Sequence, residues 1–202
     1  MDIGFLPSML AMGFAAGVLH AFDADHLAAV SGLSGSDGKR SVRFALHWGL
    51  GHGVAVIIIA AAVIVFGAAI PERFSAFAES AVAWMLILIG VHTFYHLWQQ
   101  HKGNTVHDGK RSNAMLVGLV HGSAGSAPLL ALIPAANFSS PAWGMLHILL
   151  FNFGLLLAML GVGATLRRGL LIAANRDGRL QISLQGSLAS FAVGFGVFLL
   201  LG

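Results

Sequence analysis

The sequence contains no cysteine. That excludes disulfides, thiolate-held zinc or iron–sulfur centres, and thiol electron relay. Charge is scarce too: Asp, Glu, Lys and Arg make up 9% of the chain, where a soluble domain carries roughly 25%. No P-loop or other nucleotide motif occurs, so energy for any transport step is expected from membrane potential or protons. The N-terminus has Asp2 where a signal peptide carries basic residues, and its apolar run leads to no clear cleavage site. That run is expected to be retained.

What is abundant is apolar. Hydrophobic residues make up 57% of the 202, and mean hydropathy is +0.82. The sequence pI near 10 does not signal nucleic acid, because the net charge is only +3 and the basic residues sit in short connections. Six stretches meet the roughly 20 residues of helix that a bilayer requires. They run over about 5–30, 41–70, 80–101, 113–136, 141–166 and 181–201. The first, third and fifth connections hold 10 of the 11 Lys and Arg residues; Arg73 is the exception. The positive-inside rule then predicts those three as cytoplasmic and both termini as outside.

The expected fold is therefore all-α and polytopic, with six transmembrane helices forming one transporter domain over 1–202. Its halves, about 1–101 and 113–202, are joined by a cytoplasmic linker near 102–112. Gly17-Val-Leu-His20 echoes Gly118-Leu-Val-His121 at an offset of 101 residues. Leu46-His47-x4-His52 echoes Leu146-His147-x4-Asn152 at an offset of 100. An odd number of helices between the copies predicts two inverted three-helix repeats, a transporter architecture with its polar site near the midplane. Small-x3-small pairs (Gly13 with Gly17, Gly49 with Gly53, Gly118 with Gly122) predict close packing of the first, second and fourth segments.

The stretch that the rest answers to is His20-Ala-Phe-Asp23-Ala-Asp25-His26. Ionisable groups at membrane depth are costly, face cavities and mark substrate or ion paths. At about 100° per residue, Asp23 shares a face with His20 and His26, while Asp25 points about 160° from Asp23. An intact helix cannot aim all four at one ion. Either it unwinds locally, or the far side chains support from behind. His47 and His52 lie on the next helix, and His121 lies in the fourth. Imidazole with carboxylate suits nickel, cobalt, zinc, copper or iron, whereas oxygen-only sets suit magnesium or calcium.

Pathway or supporting roles are expected for Asp23, His47, His121, Ser123, Ser126 and Asn152. Ser123 and Ser126 lie in His121-Gly-Ser-Ala-Gly-Ser-Ala-Pro128, which interrupts the fourth segment; bonding to an ion's water shell and back-bonding to their own helix account for them equally well. His92 and His96 have a metal-clamping spacing, although an interfacial aromatic belt with Tyr95 and Trp98 is the better account of this region. An intramembrane hydrolase is the competing class. Its rhomboid-like form lacks Gly-x-Ser-Gly and a histidine on the last helix, and its zinc form would rest on His92 and His96. A scaffolding subunit leaves the buried charges unexplained.

At His20-x4-Asp25-His26 and Leu50-Gly51-His52-Gly53 the sequence resembles the nickel/cobalt transporter family. The resemblance implies a permease for Ni²⁺ or Co²⁺ in the cytoplasmic membrane, with metal at His20, Asp25, His26 and His52. The ion would be transported substrate; no cofactor, enzyme activity or nucleic-acid partner is implied. Import and export both remain compatible with it. The short six-helix, urease-accessory-type permeases are the more similar branch, because larger members begin with an extra helix. A later Asp-Thr of those larger members aligns with Met159 and Leu160 here.

Overall fold

A computed structural model describes residues 6–33, 38–67, 69–102, 114–124, 126–138 and 140–201; of 32, 33, 38–41 and 126–130 only the backbone is described. Every regular element among them is a helix. In chain order these are α1 Leu6–His20, α2 Ala24–Leu33, α3 Gly38–Ile64, α4 Glu72–His101, α5 Ala114–Gly122, α6 Ser126–Ala135, α7 Pro141–Arg176 and α8 Gly178–Leu201.

Four helices are each long and apolar enough to cross a membrane: α3 from Val42, α4, α7 and α8. The pair α1 and α2 makes a fifth span if counted as one, bent by 53° at its break. Helices α5 and α6, 9 and 10 residues long, are each too short alone. The outer surface is greasy, with Leu19 71%, Phe77 72% and Leu88 65% exposed. Apolar groups outside and histidines inside identify an integral membrane protein.

Several helix boundaries depart from the sequence-based spans: α3 ends at Ile64, not 70, and the fourth span is divided into α5 and α6. Helix α4 begins at Glu72, not near 80, because Pro71 sets an extended backbone and Phe74 N–H bonds back to its carbonyl at 2.9 Å. Helix α7 does not stop at 166 but continues to Arg176. The stretch from Arg167 has no proline and is rich in helix formers, so the chain leaves apolar surroundings without leaving the helix. Asp177 alone separates α7 from α8; its carboxylate accepts the Arg179 N–H at 2.8 Å, an N-cap for α8. The linker at 103–113 lies outside the described residues.

Packing follows the small residues. Helix α7 lies against α1 and α3, α3 against α5, and α8 against α4 and α2. Where two backbones touch there is no room for a Cβ. Gly17 faces the Phe151 carbonyl, Gly118 that of Trp48, Gly51 that of Met115 and Gly154 that of Phe14. With lipid outside, such close backbone packing takes the place of hydrophobic drive. Helix α2 sits between two cores. Its Val30 joins Phe44, Trp48, Leu155 and Met159, while Ala28 and Ala29 join Val82, Leu86 and Ala192.

Candidate metal site

The first apolar segment breaks within the motif itself, between His20 and Ala24. Helix α1 ends on His20, and residues 21–23 form a turn closed by Phe22 N–H to Leu19 and Asp23 N–H to His20. Of the two options that the helical-wheel argument left open, local unwinding is present. It turns Asp23 back onto His20, with Oδ2 2.8 Å from Nδ1. One turn on, Asp25 Oδ1 meets both His26 N–H at 2.9 Å and His26 Nδ1 at 2.8 Å. Each imidazole thus has its own carboxylate at Nδ1. With the Nδ1 proton assigned toward the carboxylate, each Nε2 carries its lone pair into the interior.

Those nitrogens converge. His20, His26 and His52 are buried, and one ligand atom from each lies within 4.8 Å of the others. A second group with the same spacing is Asp25, His26 and His121. The His20 and His26 rings are 4.4 Å apart, and His26 lies 5.2 Å from His52 and 5.4 Å from His121. Trp48 packs on His26, His52 and His121 with ring centroids at 5.0, 5.3 and 5.4 Å, and Phe151 closes over His20 at 5.4 Å.

Neither His52 nitrogen has a hydrogen-bond partner, and Nε2 of both His20 and His26 also lacks one. Buried polar atoms are rarely left so, because each loses its hydration without compensation. A cation bound among them would supply the missing partner. Neutral imidazoles would add no charge to such an ion, and the two nearby carboxylates, Asp23 and Asp25, would match a divalent charge.

A cavity of about 620 Å³ leads to this cluster. Asp23, Asp25, His20, His26 and Glu79 line it among apolar residues of α4 and α8. His52 and His121 do not, and lie deeper.

Other expected residues fall elsewhere. His47 is exposed, with Nδ1 2.8 Å from the Arg43 carbonyl, and does not join the cluster. Ser123 donates to the Val120 carbonyl at 2.8 Å, the back-bonded arrangement. Ser126 opens α6, and its side chain lies outside the described residues. Asn152 donates to the Ile148 carbonyl at 2.9 Å and turns its buried, unpartnered Oδ1 toward Gly53. The His92 and His96 rings stack edge-on at 4.4 Å on α4, outside both ligand groups. Trp48 and Glu79 were not anticipated. Trp48 had a signal, its position one turn before His52. Glu79 sits in a stretch expected to be a connection.

A bent helical membrane protein that buries imidazoles against paired carboxylates, with a cavity reaching them, belongs to the class that handles transition-metal cations. The family is specific: the chain belongs to the high-affinity nickel-transport protein (NicO) family, whose model matches residues 6–111. It is 31% identical over 176 residues to a urease accessory protein UreH of Bacillus sp. (strain TB-90), covering 79% of this chain and 76% of that protein. A high-affinity nickel transport protein of Cupriavidus necator is 36% identical over 75 residues, 36% of this chain and 21% of its own length. No solved structure matches.

Proposed function

We propose that this protein is a permease that moves Ni²⁺, with Co²⁺ next in preference, across the cytoplasmic membrane. It works as a secondary transporter and carries out no catalysis. The ion is held by His20, His26 and His52, with Asp25 supplying compensating charge through His26 and Asp23 holding His20. The observation that carries this reading is the set of partnerless imidazole nitrogens gathered behind a cavity with acidic walls.

The wider architecture we infer has six spans, with α1–α2 and α5–α6 each crossing as a broken pair. Both termini lie outside, supported by the 10 of 11 basic residues on the opposite side. The halves are inverted copies, and the packing supports this because its contacts recur in pairs. Gly17 on Phe151 corresponds to Gly118 on Trp48, and Gly154 on Phe14 corresponds to Gly51 on Met115. Gly90 on Ala189 and Val193 corresponds to Gly196 on Ala83 and Ile87. Met115 follows Phe14 by 101 residues, Gly154 follows Gly51 by 103, and Gly196 follows Gly90 by 106. On this packing register His52 pairs with Leu155, whereas the sequence echo paired it with Asn152. Histidine at the repeat junction lets protons compete with metal, which offers a route to coupling.

The test is ⁶³Ni²⁺ uptake into proteoliposomes holding wild type or His52→Ala, with cobalt, zinc and magnesium as competitors. Wild type takes up nickel, cobalt competes, magnesium does not, and His52→Ala loses uptake. A folded wild-type protein that moves no nickel in either direction overturns the function. Uptake unchanged in His52→Ala overturns the site.

A further inference from the structure

The geometry points to a second ion position, formed by Asp25, His26 and His121, to which nickel passes from His20, His26 and His52; this rests on the permease reading above. We propose that His121 is a metal ligand of the transport path and not a packing residue.

Three observations converge on it. First, Asp25, His26 and His121 meet the same ligand spacing as the first group, and His26 is common to both. An ion moving between the two keeps one imidazole throughout, so no step strips it of every protein ligand. Ions pass through narrow sites when neighbouring positions are close and individually leavable. Second, His121 is buried, and its Nε2 is 3.7 Å from Asp25 Oδ2, too far for a hydrogen bond. Asp25 Oδ2 and the His121 ring therefore face each other across a gap that an ion can bridge.

Third, His121 occupies the place of His20 in the other half. It follows His20 by the same 101 residues that separate Gly118 from Gly17. The aromatic cover matches as well: His20 lies 5.4 Å from Phe151, and His121 lies 5.4 Å from Trp48. Phe151 follows Trp48 by the 103 residues that separate Gly154 from Gly51. Two equivalent imidazoles thus flank His26, one from each half.

The cavity touches both positions: His20 and His26 of the first and Asp25 and His26 of the second line it, while His52 and His121 do not. Asp25 changes role along the way. Behind His26 it tunes the first position from a distance; at the second it binds the ion directly.

The absence of cysteine allows a direct test. A cysteine introduced at a ligand position gives a near-ultraviolet thiolate-to-metal absorption when Co²⁺ binds, with no native thiol to confuse it. Full-length His121→Cys and His52→Cys are purified in detergent and titrated with Co²⁺, and uptake is measured in liposomes for His121→Ala and His121→Gln. The expected result is a charge-transfer band in both cysteine variants. Uptake in both His121 variants should fall by about tenfold or more, with half-saturating Co²⁺ binding within about threefold of wild type.

A band in His52→Cys but none in Co²⁺-loaded His121→Cys overturns the second position and leaves the permease site standing. Wild-type uptake in His121→Ala or His121→Gln also overturns it. Co²⁺ binding with no band in either cysteine variant removes the His52 site along with it. Metal-free melting temperatures show which variants are folded, and His121→Cys supplies the answer if the alanine variant is not.

Discussion

Asp25→Asn is nearly isosteric, so its effect on nickel isolates charge. Asp25 Oδ1 meets the His26 N–H at 2.9 Å and the ring Nδ1 at 2.8 Å. The asparagine carbonyl can keep both contacts and hence the tautomer. What is lost is the negative charge that strengthens these bonds and makes Nε2 a better donor to the ion. A hydrogen bond to a charged group contributes about 1.5–3 kcal/mol against about 0.5–1.5 for a neutral one. Removing the carboxylate behind a metal-bound histidine lowers metal affinity roughly 10- to 100-fold, or about 1.4–2.7 kcal/mol. The Asp25 side chain is 29% exposed at the cavity, so solvent screens part of its field and places the effect near the lower end. The expected outcome is a rise of about tenfold in the nickel concentration that half-saturates binding by isothermal titration. The metal-free melting temperature should change little. Half-saturation within about threefold of wild type, beside a His52→Ala protein that no longer binds, would place Asp25 outside the ion's field and refute the reasoning.

Nickel at about 100 times its dissociation constant stabilises the folded protein by roughly 2.7 kcal/mol. Its melting temperature in detergent should therefore rise, and a chelator should reverse the rise; His20→Ala and His52→Ala should show no shift. Acidification should weaken nickel binding, because the ion displaces protons from whichever imidazoles carry them. Log affinity should fall once the pH drops into the range where the imidazoles take up protons, and an affinity that rose on acidification would contradict imidazole ligation. Gly118→Val drives a side chain into the Trp48 carbonyl, separating α5 from α3, and should cost about 1–3 kcal/mol of stability or more. Gly161→Val, at a position with nothing near its Cβ, should melt within a few degrees of wild type.

The seven residues from His20 to His26 announced a site because charge in an apolar run needs a reason. His52 and His121 were legible from the depth at which their helices carry them. The break after His20 was foreseen as one of two options, since four groups cannot share one helical face. The pairing of carboxylates with imidazoles was not legible: it depends on the turn at 21–23, which swings Asp23 onto His20 and leaves Asp25 for His26. Nor was the register on α3 and α7 of the repeat proposed above. Identical letters favoured an offset of 100, whereas backbone contacts recur at 103, because close packing selects glycine at the touching points and tolerates change elsewhere. The end of α7 was misplaced for a related reason. Hydropathy reports where lipid stops, and helical hydrogen bonds do not stop with it.

That long helix has a mechanical consequence. At 36 residues, α7 spans about 54 Å, well beyond the roughly 30 Å of hydrocarbon. It is pinned to α1 about a third of the way along, through Gly154 on Phe14 and Phe151 on Gly17, and runs on to Arg176. A lever pivoted there amplifies small angles: a tilt of about 10° displaces the far end by about 6 Å. A spin label or fluorophore near Arg176 would therefore read any tilt of α7 from a position remote from the imidazole cluster.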